Sequence, residues 1–410
     1  MGKNSSIHIN KSLCRIVHCA MITILLFTSL YSQPNFYFDY LDISNGLPHN
    51  TVFTILQDVN GYIWLGTQDG LVRYDSKSTK IFNRNTDNNF NGKNIQCLIE
   101  NKVGDLFIGT RGNGIIVKSG RTGKFSSLDN KQLDSALATS WIKHLMIDQN
   151  ERLWISTLDN GLWMYDQKTQ NFLTFSKSNT LLHSSQISST VEDKEGNIWI
   201  ASSSDRLFIV KAGTTNVEEA PISNTQYFGF RKTLFCDKLG RIWLGTEGHG
   251  LYMIDPYKNV TQSYNTINGL SSNTVTHIAA WEDNHLLIAT DGGGLNVLDM
   301  NNQKLYLYKS QNGKSSLNTN ALYYINIDKD QNLWIGTYNG GVNISKKHKM
   351  IFENYQIDER TQEDKSIKSI LSISKSAPNK LWIGTDGDGI YTFDLVNKTM
   401  ASSNELFNTR

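Results

Sequence analysis

Histidines, cysteines and carboxylates are the side chains that most often hold metals or move protons, and their spacing decides whether they can do so. The chain of 410 residues contains nine histidines and four cysteines. The histidines are scattered singly, with no His-x3-His pair and no cysteine partner at the spacing that zinc requires. We therefore predict no metal site and no cofactor.

Two glycine-rich segments, residues 291–294 and 386–389, contain the residue types of phosphate and calcium loops. No helix follows to supply an anion-binding N-terminus, and the closing glutamate of a calcium loop is missing. The chain has no Gly-x-Ser-x-Gly elbow, and its hairpins lack the Ser-x-Asp-x-Gly-x-Thr-Trp phrase of sialidases. These residues favour binding over catalysis, so we expect no enzyme activity. A secreted propeller enzyme acting on glycans is the alternative.

One repeated pattern explains the glycine segments as turns. An apolar run leads to an Asp/Asn/Gly turn, then to an aromatic residue followed by Ile or Leu, Gly and Thr, and then to Gly-Leu and Tyr-Asp. A large aromatic residue in each repeat fills the wedge between neighbouring sheets, and the small Gly-Thr pair lets the next sheet approach. The anchor position occurs eight times, mostly as tryptophan: Trp64, Phe107, Trp154, Trp199, Trp243, Leu287, Trp334 and Trp382.

Each repeat reads as four short strands, which predicts an all-β fold, a β-propeller of four-stranded antiparallel blades. Residues 35–41 resemble a fourth strand that lacks its own first three, and such a strand can complete the last blade and lock the circle. We therefore predict a seven-bladed propeller over residues 33–349 and the first blade of a second, incomplete propeller over residues 350–410. The alternative is a single eight-bladed ring.

The first 32 residues have the pattern of a signal peptide. Lys3, Lys11 and Arg15 precede an apolar stretch from residue 16 to residue 30, with no acidic residue before Asp39. We expect a periplasmic or exported protein, which is membrane-attached if the signal is not cleaved or if the full-length protein continues. The formal net charge of +2 gives no field to attract nucleic acid, and no nucleic-acid partner is expected.

The predicted propeller places its ligand site on one face. The loops that lead into the first strands, and the loops between second and third strands, open around the axis on that face. Sugars need flat aromatic faces and forked polar groups, which Trp, Tyr and Arg supply. The alternatives are that these residues fill the space between blades or dock another propeller. The candidates depart from the repeat at these loops: Arg111, Trp141, His183, Tyr227, Arg231, His249 and Tyr338.

Four sequence segments resemble the motifs of a known family: residues 45–52, 58–67, 70–75 and 268–275. They resemble the two-component regulator propeller repeat, and the resemblance covers nearly all of residues 36–395. It implies the periplasmic sensor region of a hybrid histidine kinase from Bacteroidetes-type bacteria. That plan has two seven-bladed propellers, a small β-sandwich, one membrane helix and then kinase and regulator domains, and its ligands are typically glycans or their breakdown products.

The chain resembles the N-terminal part of that plan, because no β-sandwich or phosphoacceptor region is recognised in residues 1–410. Kinase activity is therefore not assigned to these residues. The resemblance predicts a sensor module for glycans or oligosaccharides. Its expected partners are a C-terminal propeller with membrane-linked kinase domains, or a second copy in a homodimer. The alternative from a different class is a free-standing structural or protein-binding propeller.

Overall fold

The computed structural model describes residues 34–87, 90–128, 135–178, 180–222, 229–257, 260–282, 284–311, 316–347, 369–387, 389–397 and 399–402. The chain divides into two compact units, one up to Lys347 and one from His348 onward. The predicted signal segment lies outside the described residues. The part of the chain that the structure describes contains no helix with the length and apolar character of a membrane span.

The described residues form eight four-stranded antiparallel sheets, and the predicted all-β propeller architecture is confirmed. Blades 1 to 4 each contain four consecutive strands: β2 (Val52–Gln57), β3 (Ile63–Thr67), β4 (Gly70–Tyr74), β5 (Thr79–Phe82); β6 (Ile95–Glu100), β7 (Leu106–Thr110), β8 (Ile115–Lys118), β9 (Phe125–Ser127); β10 (Ile142–Ile147), β11 (Arg152–Thr157), β12 (Leu162–Asp166), β13 (Asn171–Phe175); β14 (Ile187–Glu192), β15 (Ile198–Ser202), β16 (Leu207–Val210) and β17 (Val217–Glu219).

Blades 5 and 6 repeat this order, whereas blade 7 takes its fourth strand from the start of the chain. The strands are β18 (Lys232–Cys236), β19 (Ile242–Thr246), β20 (Leu251–Asp255), β21 (Val260–Tyr264); β22 (Val275–Trp281), β23 (His285–Thr290), β24 (Gly294–Asp299), β25 (Lys304–Tyr308); and β26 (Leu322–Ile327), β27 (Leu333–Thr337), β28 (Val342–Ser345) with β1 (Phe38–Leu41). The described helices are a 3-10 turn, Ile43–Asn45, and a short α-helix, Ser135–Thr139.

Strand β1 joins the two ends of the first unit. It pairs antiparallel with β28, with Phe38 opposite Ser345 and Leu41 opposite Val342. Both apolar side chains are buried, at 3% and 4% exposure. The first strands β2, β6, β10, β14, β18, β22 and β26 contact one another in that order, and β26 contacts β2 in turn. The order of the sheets in this unit is therefore circular, and the first strands surround a common axis.

The anchor tryptophans are held by hydrogen bonds as well as by packing. In five blades an aspartate six residues earlier accepts a hydrogen bond from the indole Nε1 at 2.8 Å, as Asp58 does from Trp64. The other oxygen of Asp58 accepts the backbone N–H groups of Asn60 and Tyr62, both at 2.9 Å, and so caps the hairpin turn. One buried carboxylate thus fixes both the turn and the wedge residue.

The Gly-Thr pair that follows the anchor also has two functions. A Cβ on Gly66 would lie 2.8 Å from Cγ2 of Ile95 in the next blade, so only a very small residue allows this approach. The Thr67 hydroxyl donates to the Gly70 carbonyl at 2.8 Å and closes the turn between the second and third strands. The close approach of sheets inferred from the repeat is therefore present, with a turn clamp added.

The second unit contains one described sheet, with strands β29 (Ile370–Ala377), β30 (Lys380–Thr385), β31 (Ile390–Asp394) and β32 (Thr399–Ser402). Its first strand is exposed along its length: Ile370 and Ile373 are 57% and 60% exposed. The residues at the same repeat positions in blade 1, Val52 and Ile55, are at most 1% exposed. This sheet therefore presents the apolar side that blades 1 to 7 bury.

Candidate functional site

The first strands carry a local irregularity at their starts. In six of the seven blades the pairing of the first and second strands shifts by one residue there, as between Val52 and Thr54. A bulge of this kind inserts one unpaired residue and redirects its side chain. The unpaired residues include Lys143 and Tyr323, and both line a cavity at this end of the strands. The bulges therefore place non-repeating side chains where a ligand could reach them.

Just below the bulges, side chains of one blade bind the backbone of the next. His144 Nδ1 accepts the N–H of Thr190 at 3.4 Å, Ser189 Oγ accepts that of Leu234 at 3.2 Å, and His277 Nδ1 accepts that of Ile325 at 3.4 Å. Each first strand is the edge of its sheet, so its outward N–H groups need a partner. These three hydrogen bonds provide such a partner and link neighbouring blades.

Both histidines are held in the neutral form. Burial lowers the pKa of His144 to about 4, with a further contribution from the Lys143 charge. Burial also lowers the pKa of His277 to about 3, assisted by His144 and Lys143. The His277 ring lies against Tyr324, with ring centroids 4.0 Å apart. A neutral ring can keep Nδ1 as an acceptor, which the inter-blade hydrogen bonds require.

Acid is expected to weaken this unit through the two histidines. Unfolded histidines take up protons below about pH 6.5, while His144 and His277 in the folded protein do so only near pH 4 and pH 3. Stability is therefore retained above pH 6.5 and falls as the pH is lowered, by about 3 kcal/mol for each of the two histidines between pH 7 and pH 4. The double variant His144→Asn/His277→Asn keeps an acceptor and should show a flatter acid profile in urea unfolding. Equal pH profiles would contradict this account.

The cavity at the starts of the first strands encloses about 100 Å³ and extends from blade 3 across the axis to blades 5, 6 and 7. We call it the axial cavity. Its lining combines cations, carboxylates, hydroxyls and aromatic rings: Lys143, Arg231, Lys232, Thr233, Glu247, Thr274, Val275, Thr276, Asp291, Ala321, Leu322, Tyr323 and Tyr338. Lys143 Nζ lies 5.5 Å from the centre of the Tyr323 ring, and Tyr338 is 54% exposed.

Two of the predicted site residues, Arg231 and Tyr338, line the axial cavity. Arg111 and Trp141 form a separate pair: the guanidinium carbon of Arg111 lies 4.0 Å from the centre of the indole ring. That contact covers one face of the indole, the surface that a sugar would use. The Trp141 backbone N–H donates to Asp159 Oδ2 at 3.1 Å, so Asp159 fixes the loop that carries this pair.

The predicted residues His183 and His249 do not line the axial cavity. His183 is exposed and lies edge-on to Phe208, with ring centroids 5.4 Å apart. His249 is exposed in the turn between β19 and β20, where its backbone N–H donates to Thr246 Oγ1 at 3.2 Å. Tyr227 lies outside the described residues. All these assignments as ligand contacts stay predictions.

Most residues of the axial cavity were missed by sequence reasoning, among them Lys143, Lys232 and Tyr323. Lys232 pairs with Thr246 at the position where the other first strands have Val, Ile or Leu, but counting back from the anchor residue in the sequence places Arg231 there, because blade 5 lacks the bulge. Lys143 and Tyr323 gave no sequence signal either, because their exposure depends on the bulge. Among the described residues, no group of three or more His, Cys, Asp or Glu side chains could hold a metal ion.

Three of the repeats match a known protein family. The family profile described as two component regulator propeller matches residues 46–69, 181–204 and 316–339. Three repeats of this chain match the two-component regulator propeller family. The matched segments begin in the loops before the first strands of blades 1, 4 and 7 and extend to the turn after the second strand. The resemblance predicted from the sequence is therefore confirmed.

Relatives of these propeller repeats belong to signalling systems. A histidine kinase of Formosa agariphila is 27% identical over 233 residues, which are 54% of this chain and 17% of that protein. The extracellular domain of a hybrid two component system of B. thetaiotaomicron is 25% identical with a TM-score of 0.68, over 90% of this chain and 49% of that one. Another such domain from the same organism is 23% identical, with a TM-score of 0.63, over 88% of this chain and 46% of that one, and shows the shared fold. The chain thus covers less than half of the length of each of these three relatives.

Proposed function

We propose that this chain supplies the exported ligand-sensing propeller of a hybrid two-component system and that its ligands are glycans or oligosaccharides. The observation that carries the proposal is the axial cavity, where the exposed Tyr338 and Arg231 face a site open to solvent. An aromatic face beside a forked donor is what a sugar ring and its hydroxyls require. The likeness to extracellular domains of hybrid two component systems supports the sensor role.

The organisation of the chain forms part of the proposal. We assign residues 1–32 to a signal peptide, residues 33–349 to a seven-bladed propeller and residues 350–410 to the first blade of a second one. The pairing of β1 with β28 supports the first boundary of the ring. The exposed apolar first strand β29 supports the second propeller, because that strand needs a neighbouring blade to bury it. The expected partners are that second propeller and membrane-linked kinase domains.

Sugar binding at the axial cavity predicts a large effect of Tyr338→Ala. We expect the full chain to gain thermal stability with at least one member of a broad oligosaccharide panel, and the variant to bind that sugar at least tenfold more weakly, which corresponds to about 1.4 kcal/mol. Tyr257 is a matched control, because it is 57% exposed but lies in the turn between β20 and β21, at the other end of the blade.

Isothermal titration calorimetry measures both variants. Tyr257→Ala should bind the sugar as the unchanged protein does. A folded chain that binds no member of the panel would overturn the proposal of direct glycan sensing. Binding that Tyr257→Ala weakens and Tyr338→Ala leaves unchanged would move the site to the other end of the propeller.

A further inference from the structure

The axial cavity carries more positive than negative charge. Lys143, Arg231 and Lys232 line it together with Glu247 and Asp291. Within the described residues, neither carboxylate lies at ion-pair distance from any of these three cations. The three cations of the lining therefore have no ion-pair partner among the carboxylates that line the cavity with them.

Lys232 is the most unusual of these groups. It is 4% exposed, and it occupies a position where the equivalent residues of the other first strands are apolar, such as Val52 and Ile95. Blade 5 also lacks the bulge: Lys232 pairs with Thr246 and Thr233 with Gly245, without a shift. Burying an ammonium group at a core position costs stability. A departure that weakens the fold is expected where binding requires the residue.

The Lys232 ammonium retains donor capacity toward the cavity. Its Nζ donates to the carbonyl of Ser202 at 2.6 Å and to that of Ser204 at 2.7 Å. An ammonium group has three N–H donors, so these two bonds leave one for a ligand. Burial lowers the pKa of Lys232 to about 8, against the opposing effect of Asp205, so the group is largely charged at neutral pH. The two carbonyls hold the charge at a fixed place on the cavity wall.

The aromatic groups of the cavity belong to blade 7, two blades from Lys232. Tyr323 lies under the Lys143 ammonium, and its ring packs edge-on against Phe53 with centroids 5.0 Å apart. Tyr338 lies in the turn directly after β27 in the same blade. A ligand that spans the cavity would thus meet aromatic rings on one side and the Lys232 ammonium on the other.

We propose that the axial cavity selects acidic oligosaccharides, with a carboxylate or sulfate group bound by Lys232, Lys143 and Arg231 and a sugar ring against Tyr338. This inference rests on the proposed glycan-sensing function and adds the ligand class. Charge-assisted hydrogen bonds to a carboxylate or sulfate are stronger than those to a hydroxyl, so the acidic group should dominate affinity.

The test is a glycan array probed with the full chain at fixed ionic strength. Each uronate-containing or sulfated oligosaccharide is printed beside its neutral counterpart, the methyl ester or the desulfated sugar. We expect binding to acidic members at least tenfold above their counterparts. Lys232→Met, which restores an apolar residue at the repeat position, should lose that preference at least tenfold and should melt no lower than the unchanged protein. Lys168→Met is the control, because Lys168 is exposed in the turn at the far end of blade 3.

The outcomes separate the two proposals. Equal binding of neutral and acidic members, or an unchanged preference in Lys232→Met, would overturn the acidic-ligand inference while leaving glycan sensing intact. Binding of no oligosaccharide of either kind would overturn both. Loss of preference in Lys168→Met as well would show a general charge effect and would also overturn the assignment to the axial cavity.

Discussion

Deletion of residues 34–41 is expected to destroy the cooperative fold of the first unit. The deleted segment contains β1, which buries Phe38 and Leu41 and completes the sheet of β26 to β28. Phe36 adds contacts to Trp281 and Tyr308, with ring centroids 5.1 Å and 5.0 Å away. Burial of each large apolar side chain contributes about 1.5–3 kcal/mol, so the total approaches the whole stability of a typical domain.

The measurement is thermal unfolding followed by circular dichroism, with a chain lacking only residues 1–33 as the control. The control should melt as the full chain does. Phe38→Ala is a milder variant that keeps the strand, and it should lower the free energy of unfolding by about 3–5 kcal/mol. A deletion variant that melts cooperatively at the temperature of the control would show that β1 does not close the ring.

Substitution of Asp193 is expected to have the second largest effect. Its Oδ1 accepts the backbone N–H groups of Glu195 and Asn197, both at 2.9 Å, and its Oδ2 accepts Trp199 Nε1 at 2.8 Å. Asp193→Ala leaves these three donors without their acceptor, and the indole N–H is buried with a tryptophan that is 1% exposed. We expect a loss of about 3–5 kcal/mol in chemical unfolding.

Blade 2 supplies a natural control for this pair. Its anchor is Phe107, which has no N–H to donate, and the position of the aspartate is taken by Asn101. The Asn101 side-chain oxygen still caps the turn, accepting Asp105 N at 2.8 Å, while its Nδ2 donates to Gln167 Oε1 at 2.8 Å. The amide thus replaces the carboxylate where the indole is absent.

A double-mutant cycle on Asp193 and Trp199 follows from this observation. Asp193→Asn places an amide N–H₂ against the indole N–H, and Trp199→Phe removes the donor from the carboxylate. The combined variant reproduces the arrangement of blade 2, so its loss of stability should be at least about 1 kcal/mol smaller than the sum of the single losses. Asp166→Asn tests turn capping alone, because Asp166 accepts the Lys168 N–H at 2.8 Å and binds no indole. If the stability losses of the two single variants simply added up, the hydrogen bond between Asp193 and Trp199 would not stabilise the blade.

The all-β propeller fold could be predicted from the sequence because the repeated pattern itself specifies the strands and turns of each blade. Anchor residues at regular spacing, with Asn-Gly and Gly-rich turns between them, predict four-stranded blades without any knowledge of contacts across the ring. The aspartate six residues before five of the six anchor tryptophans was visible as a repeated residue in the sequence. Its bond to the indole was not inferred, since that bond depends on how the hairpin turn folds back over the next strand.

The site was predicted only in part. Arg231 and Tyr338, which line the axial cavity, were proposed because they depart from the repeat in loops that must open on one face, and their role as ligand contacts stays a prediction. Lys143 and Tyr323 were missed because a one-residue shift in pairing, which sequence periodicity does not reveal, decides where their side chains lie. The bonds of His144 and His277 to the next blade were missed for a related reason, because they join residues about 45 positions apart along the chain.

Hydrogen–deuterium exchange of the full chain, with and without a saturating oligosaccharide from the panel, tests the central claim most directly. The account predicts slower exchange in residues 229–233 and 321–338, which line or adjoin the axial cavity, and no change in the far turns such as residues 166–170. Protection confined to those far turns, or no protection anywhere in a folded chain, would contradict a sugar-sensing propeller with its site at the axial cavity.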